Sequence, residues 1–149
     1  MSRRIKIDQL SGEIVKIMQD YAGDVTSNMK EDIDSVAKEA VKKIKSAAPV
    51  RDSNRDRKTR SGKKYPPGTY KKSWTSRTVE ETFNRKKRTI YSKGQYQLTH
   101  LLEKGHKEVL PSGKTGRKVE PIVHIQPAEE WAVNELQKRT IRRISSGVL

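Results

Sequence analysis

The hydrophobic positions in the first third of the chain recur at the spacing of an α-helix. Apolar residues lie three or four positions apart along one stripe, and charged residues occupy most positions between them. We therefore predict a helical region over residues 8–48, with Gly23-Asp24 as a candidate break and Pro49 as the stop signal. The stripe consists of Ile14, Met18, Tyr21, Val25, Met29, Ile33, Val36, Ala40 and Ile44.

The helical pattern gives way to a basic segment, which we interpret as a flexible loop over residues 50–68. Between residues 51 and 64 there is no large apolar side chain, and Lys and Arg outnumber the acidic residues. Two interpretations stay open: the segment contacts a polyanion or an acidic partner, or it is a solvated insertion that orders only in an assembly. The candidate contact residues are Arg51, Arg55, Arg57, Lys58, Arg60, Lys63 and Lys64.

Residues 69–126 are expected to form a small antiparallel sheet with one short helix. Threonine, valine and aromatic residues favour a strand from Tyr70 to Phe83. A polar corner at 84–87 and a second run of strand-forming residues at 88–93 then predict a hairpin.

The next segment has helical spacing and is followed by extended sequence. We predict a short helix over residues 96–104, with Gly105 in the left-handed conformation that ends many helices. Residues 108–125 should be extended, with a turn at 111–113 and a polar tip through Gly116. The side chains expected to pack inward from the short helix are Leu98, Leu101 and Leu102.

The last predicted element is a helix over residues 127–145. Pro127 suits the first turn, and Glu129 and Glu130 lie near the positive end of the helix dipole. The order of elements predicts an α+β fold in a single domain over residues 1–149. Its parts are a long N-terminal helix, a small antiparallel sheet with a hairpin, a short middle helix and a C-terminal helix.

Composition adds a thin core and a strong positive charge to this picture. Leu, Ile, Val and Phe make up about a fifth of the 149 residues, so burial against other subunits is expected to complete the core. The net charge of +15 attracts polyanions. There is no cysteine, hence no disulfide and no thiolate metal site. No apolar run predicts a secretory signal or a membrane span.

The histidines raise the question of catalysis. His100 and Glu103 could share a helical face as metal ligands, but His106 lies beyond Gly105 and no further strong ligand is nearby. The patterns HExxH, GxSxG and GxxxxGK[ST] are absent. We therefore expect a non-enzymatic protein without metal or cofactor, and keep a metal-dependent enzyme as a hypothesis to test.

Nucleic-acid binding is the stronger alternative. Aromatic residues interleaved with basic ones can stack on bases, and four aromatics give a weak version of this pattern, whereas Trp74 and Trp131 are more simply interpreted as core anchors. No helix-turn-helix, zinc-finger or RNP-type motif accompanies them. The aromatics are Tyr65, Tyr70, Trp74 and Tyr91.

Three stretches together carry a resemblance to a known family. They read GTYKKSW at Gly68–Trp74, YQLTHLLEKGH at Tyr96–His106, and PIVHIQPAEEWA at Pro121–Ala132. In this order they resemble the lambdoid gene-product-ten-like family of siphophage tail components, in the branch from phages and prophages of Gram-positive hosts. Many members have Arg-Pro-Phe-Leu before the Pro-Ala pair, where this chain has Ile122–Ile125.

The resemblance implies a structural protein of phage morphogenesis at the neck, for tail completion or head–tail joining. It implies a homo-oligomeric ring of six copies, contacts with the tail tube protein and head-completion or connector proteins, and DNA in the lumen. It also implies location in the virion after assembly in the bacterial cytoplasm. In this interpretation, His100 and His106 orient a turn by hydrogen bonds. The motif residues are Gly68, Tyr70, Trp74, Tyr96, Leu98, Leu101, Gly105, His106, His124 and Pro127.

Overall fold

The computed structural model describes residues 10–50 and 65–146, and its first element is one long helix. Helix α1 spans Leu10–Ala47, 38 residues, and ends just before Pro49 as predicted. The predicted break at Gly23-Asp24 is wrong, because α1 continues through both residues. An interior glycine costs about 1 kcal/mol, but each further residue of an existing helix adds a hydrogen bond, so one glycine does not end it.

A short helix, α2 (Thr69–Ser73), replaces the first part of the predicted strand. The chain turns at Gly68, which has φ of +80°, and the Lys72 N–H donates to the Gly68 carbonyl at 2.9 Å. This helical turn places the rings of Tyr70 and Trp74 5.9 Å apart, edge to face. In a strand the two Cα atoms would be about 13 Å apart. Packing of the two aromatic rings therefore overrides the local strand preference.

The predicted hairpin is present with a tighter turn. Strands β1 (Trp74–Thr82) and β2 (Arg85–Ser92) pair antiparallel, and only Phe83 and Asn84 separate them. The predicted corner at 84–87 was too long. Cross-strand pairing extends β2 back to its first residues, because Lys86 lies opposite Glu81 and bonds to its carboxylate at 3.3 Å.

Helix α3 (Tyr96–Lys104) lies where the sequence predicts it, and a second hairpin follows. Strands β3 (His106–Val109) and β4 (Thr115–Val119) pair antiparallel around the predicted turn at 111–113. Gly116 belongs to β4 and not to the tip of the turn. Within the described residues the strands thus form two separate two-stranded sheets, not one.

Helix α4 (Gln126–Ser146) matches the predicted C-terminal helix to within one residue at each end. It runs antiparallel to α1: Arg143 near its end bonds to Asp32, and Arg139 bonds to Glu39 further along α1. The architecture is α+β, as predicted. The core lies where the ends of α1 and α2 meet the start of α4, and its buried side chains are Ile44, Ala48, Tyr70, Trp74 and Ala128.

Candidate functional site: a buried histidine cluster and an exposed helical arm

His124 lies at the centre of the described fold and is only 1% exposed. Its Nε2 is 2.8 Å from the hydroxyl of Tyr70, and its Nδ1 is 2.7 Å from the carbonyl oxygen of Ile122. Because a carbonyl can only accept, Nδ1 carries a proton and donates to Ile122, while Nε2 shares a hydrogen bond with the Tyr70 hydroxyl. The imidazole therefore connects α2 to the segment that leads into α4.

Glu103 of α3 caps the N-terminus of α4 from a distance of more than twenty residues along the chain. Its carboxylate accepts main-chain N–H bonds from His124 at 2.9 Å, Ile125 at 3.1 Å and Gln126 at 2.9 Å. Burial alone would raise the pKa of Glu103, but these three donors lower it below the usual range. The carboxylate thus accepts from Gln126, the first residue of α4, and from the two residues before it, and it lies at the positive end of the helix dipole.

The residues around Glu103 do not indicate this role, but the start of α4 carries a signal for it. The residues before Pro127 are His124, Ile125 and Gln126, none of which is a preferred N-cap residue such as Ser, Thr, Asp or Asn. A helix start without a local cap leaves its N–H groups to water, to a ligand or to a distant side chain, and here Glu103 accepts from Gln126.

The buried cluster holds together segments that are distant along the chain. Burial, reinforced by the charge of Glu103, raises the pKa of Tyr70 to about 12, so the phenol stays protonated near neutral pH. The almost complete burial of His124 leaves no room for a substrate at its ring. The cluster joins α2, α3 and the start of α4 into one unit.

The hypothetical metal ligands do not converge. Glu103 points its carboxylate at the start of α4, whereas His100 is exposed on α3. Among residues 10–50 and 65–146, no group of three or more His, Asp or Glu side chains is arranged to hold a metal ion. The three residues proposed for a metal enzyme therefore do not form a site in this structure.

The predicted turn at Gly105 is present but differs from the expected helix cap. Gly105 has φ of +70° and ψ of 172°, which is not the left-handed helical conformation. A Cβ atom there would lie 2.6 Å from the carbonyl oxygen of Val119 and 3.0 Å from the nitrogen of Pro121. Glycine is required by this close approach of two backbones, since any side chain would force them apart.

The expected hydrogen-bonding role of His106 is wrong. Its Nδ1 is buried, and no described group lies within hydrogen-bond distance and geometry of it. His106 opens β3 and pairs across the ladder with Val119, so its main chain, and not its imidazole, fixes the turn after Gly105. His100 is exposed on α3.

The leucines of α3 also differ from the prediction. Leu98 is 38% exposed, so it does not pack inward, while Leu102 packs against the core and Leu101 is half-buried. Helix α3 lies at the surface, and its side toward β2 and the core is narrow. Tyr96 at its start is 66% exposed, and Pro127 in the first turn of α4 is exposed as well.

The basic residues proposed for polyanion contact, from Arg51 to Lys64, lie outside the described residues. Within the described residues, no helix is both long enough and apolar enough to cross a membrane.

The N-terminal part of α1 exposes the same stripe that forms the core further along. We call residues 12–24 the arm. Val36 and Ile44 of the stripe are buried, with 4% and 3% exposure, whereas Ile14 and Met18 are 47% and 65% exposed. Apolar side chains at this density on one surface mark an interaction site in soluble proteins. The other large apolar residues exposed on the arm are Val15, Ile17 and Tyr21.

Comparison with protein families decides the affiliation of the chain. The family model described as "Bacteriophage HK97-gp10, putative tail-component" matches residues 12–105. The chain belongs to this HK97-gp10-like family. The family inferred from the three motifs is thereby confirmed, and the chain is a bacteriophage tail component; its placement in the Gram-positive branch stays a prediction. Searches of curated proteins and of solved structures each returned no match.

The matched range includes some of the site residues and leaves out others. It contains the arm, Tyr70 and Glu103, and it ends at Gly105. His124 and α4 lie beyond it. The HK97-gp10-like part of the chain thus supplies the carboxylate and the phenol of the cluster, and the segment after it supplies the imidazole.

Proposed function

We propose that this chain is a non-enzymatic structural protein that forms a ring at the head-proximal end of the tail tube, where it completes the tail or joins it to the head. The observation that carries the proposal is the exposed apolar arm in a member of a tail-component family. An arm of this kind needs a partner subunit to cover it, because leaving several large apolar side chains in water is unfavourable.

A closed ring accounts for both the arm and the thin core. When one surface of a subunit contacts a different surface of the next, repeated contacts close into a ring if the rotation allows it. Six copies, matching a six-fold tube, are part of the proposal, as is a single domain over residues 1–149. The proposed partners are the tail tube protein and the head-completion or connector proteins, with the assembled chain located in the virion.

The absence of turnover is supported by the chemistry of the cluster. Its imidazole is out of reach of solvent, and its phenol is held protonated. The net charge of +15 suits an acidic tube surface or the DNA that passes through the lumen, without requiring either to be a substrate.

Electron microscopy of a lysate from the parent phage or prophage lacking this gene tests the proposal. We expect packaged heads beside separate tails, or tails of uncontrolled length, and restoration of joined particles when the gene is supplied in trans. Intact and infectious particles without the gene would overturn the proposed neck function.

Binding of nucleic acid through the basic segment is the second candidate, favoured by the excess of Lys and Arg between residues 51 and 64. Such binding weakens steeply as salt rises, because phosphate contacts release counterions. Substituting Arg55, Arg57, Lys58 and Arg60 by serine should then reduce DNA binding and flatten its salt dependence. Unchanged binding would remove the segment as a nucleic-acid site.

A further inference from the structure

We infer that the arm of one copy docks on the outer face of α4 of a second copy. The outer face is defined by its exposed apolar residues, Val133, Ile141 and Ile144, and by the exposed cations Lys138 and Arg142 beside them. The inference rests on the proposed ring and names the two surfaces that build it. Helix against helix, the contact buries an apolar stripe on each side and pairs opposite charges along its edge.

The arm is acidic although the whole chain is strongly basic. It carries three carboxylates and one lysine, in a protein whose net charge is +15. Asp20 and Asp24 lie four residues apart on the same flank of the apolar stripe, and both are exposed. Among the described residues, neither aspartate has a hydrogen-bond or ion-pair partner. An acidic flank beside exposed Ile14, Met18 and Tyr21 selects a basic and apolar partner surface.

The outer face of α4 has the complementary chemistry. After Glu135, α4 has no acidic residue, and Glu135 is itself bonded to Arg139 at 2.8 Å. Arg139 and Arg143 turn toward α1, where Glu39 and Asp32 accept their hydrogen bonds. The two remaining cations, four residues apart, stay exposed next to the apolar residues of the outer face, which are 52–62% exposed.

The spacing of the charges agrees on both surfaces. Two residues four apart on a helix lie about 6 Å apart along its axis. The aspartate pair of the arm and the cation pair of α4 therefore present the same separation, and two ion pairs can form at once. Charge pairs at the edge of an apolar helix contact determine which face and which partner are chosen.

The arm cannot reach the outer face of α4 in its own chain. Arg143, near the end of α4, bonds to Asp32 of α1, and Asp24 lies eight residues further, about 12 Å along the axis. The arm thus projects past the end of α4. Because the arm and the outer face are different surfaces, each copy offers one to the next and accepts one from the previous copy, the geometry of a ring.

Contact between two arms is disfavoured by the same charges. Two arms packed along their stripes would bring two acidic flanks into one contact, and like charges in a helix contact repel. The second copy's outer face offers cations instead. Charge complementarity therefore chooses the arm-to-α4 contact over the arm-to-arm contact.

Charge reversal tests the inference on the full-length purified chain. Sedimentation velocity at low salt should show assembly of the unmodified chain and at least a 10-fold weaker association for the D20K/D24K variant and for the K138E/R142E variant. Circular dichroism should show the same helix content in all, since every substituted side chain is exposed. A matched control is K38E/K42E, which reverses two exposed lysines four apart on α1 outside the arm and should assemble normally.

Mixing the two reversed variants gives the sharpest result. In the mixture the basic arm of one variant meets the acidic face of the other, and the acidic arm meets the basic face, so alternating assembly should be restored in an even-membered ring. A chain carrying all four substitutions should also assemble.

The outcomes separate this inference from the proposed function. Rings that persist in both reversed variants would overturn the arm-to-α4 contact and leave the ring standing. A two-copy assembly that persists in the K138E/R142E variant but is lost when Met18 is substituted would indicate an arm-to-arm contact. An unmodified chain that stays monomeric would overturn the inference, whereas intact particles from the deletion lysate would overturn the neck function.

Discussion

Replacing Glu103 with alanine removes the carboxylate that connects α3 to the first turn of α4. Three main-chain N–H groups lose their acceptor at once, two of them at 2.9 Å and one at 3.1 Å. Glu103 is 16% exposed at its side chain, so water replaces the lost acceptor only in part. The neighbouring imidazole of His124, 3.0 Å from the carboxylate, loses a polar contact as well.

The expected loss of folding free energy follows from these contacts. A hydrogen bond to a charged group contributes about 1.5–3 kcal/mol net, and removal of a helix cap costs about 0.5–2 kcal/mol. The three bonds share one carboxylate and are not additive, so we expect Glu103→Ala to lose about 2–4 kcal/mol. Glu103→Gln keeps an acceptor oxygen and loses the charge, and should lose about 1–2 kcal/mol.

Chemical unfolding followed by circular dichroism measures the loss. In a thermal melt, a decrease of this size should lower the melting temperature of Glu103→Ala by about 4–16 °C. The control is Glu120→Gln, whose carboxylate is 72% exposed and bonds only to exposed Lys118 among the described residues, so its change should stay under about 0.5 kcal/mol.

Acid titration adds a second readout. The folded-state pKa of Glu103 is lowered, so its stabilisation is present above the unfolded pKa near about 4.3 and is lost as pH falls through the folded pKa. The stability difference between the unmodified chain and Glu103→Gln should therefore shrink in acid. A loss below about 1 kcal/mol for Glu103→Ala, or a loss equal to that of the control, would refute the capping role.

Three further predictions concern other contacts. Gly105→Ala should lower the free energy of unfolding by about 1–3 kcal/mol, because of strain and because a Cβ would lie 2.6 Å from a carbonyl oxygen. Gly113 has a similar φ of +76° but open space around it, so Gly113→Ala should lose less in the same unfolding assay. Asp32 is 7% exposed and binds Arg143, so Asp32→Asn should lower the free energy of unfolding by about 1.5–3 kcal/mol. A double-mutant cycle with Arg143→Gln should show coupling between the two residues, and additive losses would contradict this pairing. Burial alone would raise the pKa of Asp34, but hydrogen bonds from two cations of β2 lower it. The contribution of Asp34 to folding free energy should therefore be present above about pH 4 and fade as pH falls through the lowered pKa. Asp34→Asn should abolish that part of the acid dependence.

Local periodicity was sufficient to predict the elements whose side chains follow a helix repeat. Helices α3 and α4 lie within a residue of their predicted bounds, and α1 follows its stripe from end to end. The stripe could not reveal that its first half lacks a covering element, because periodicity reports which residues share a face and not what packs on that face.

Elements set by distant contacts were the ones that sequence patterns missed. The helical turn α2 exists because Tyr70 and Trp74 pack on one another and around His124, a residue more than fifty positions away from Tyr70. The role of Glu103 depends on donors more than twenty residues later. Neither pairing leaves a local repeat, and only the missing N-cap before α4 pointed to it.

The position of this chain on intact particles decides whether it belongs to the neck. Immunogold electron microscopy, with antibody raised against the full purified chain and particles lacking the gene as control, reports that position. We expect label at the junction between head and tail. Label along the length of the tube or at its distal tip would contradict it.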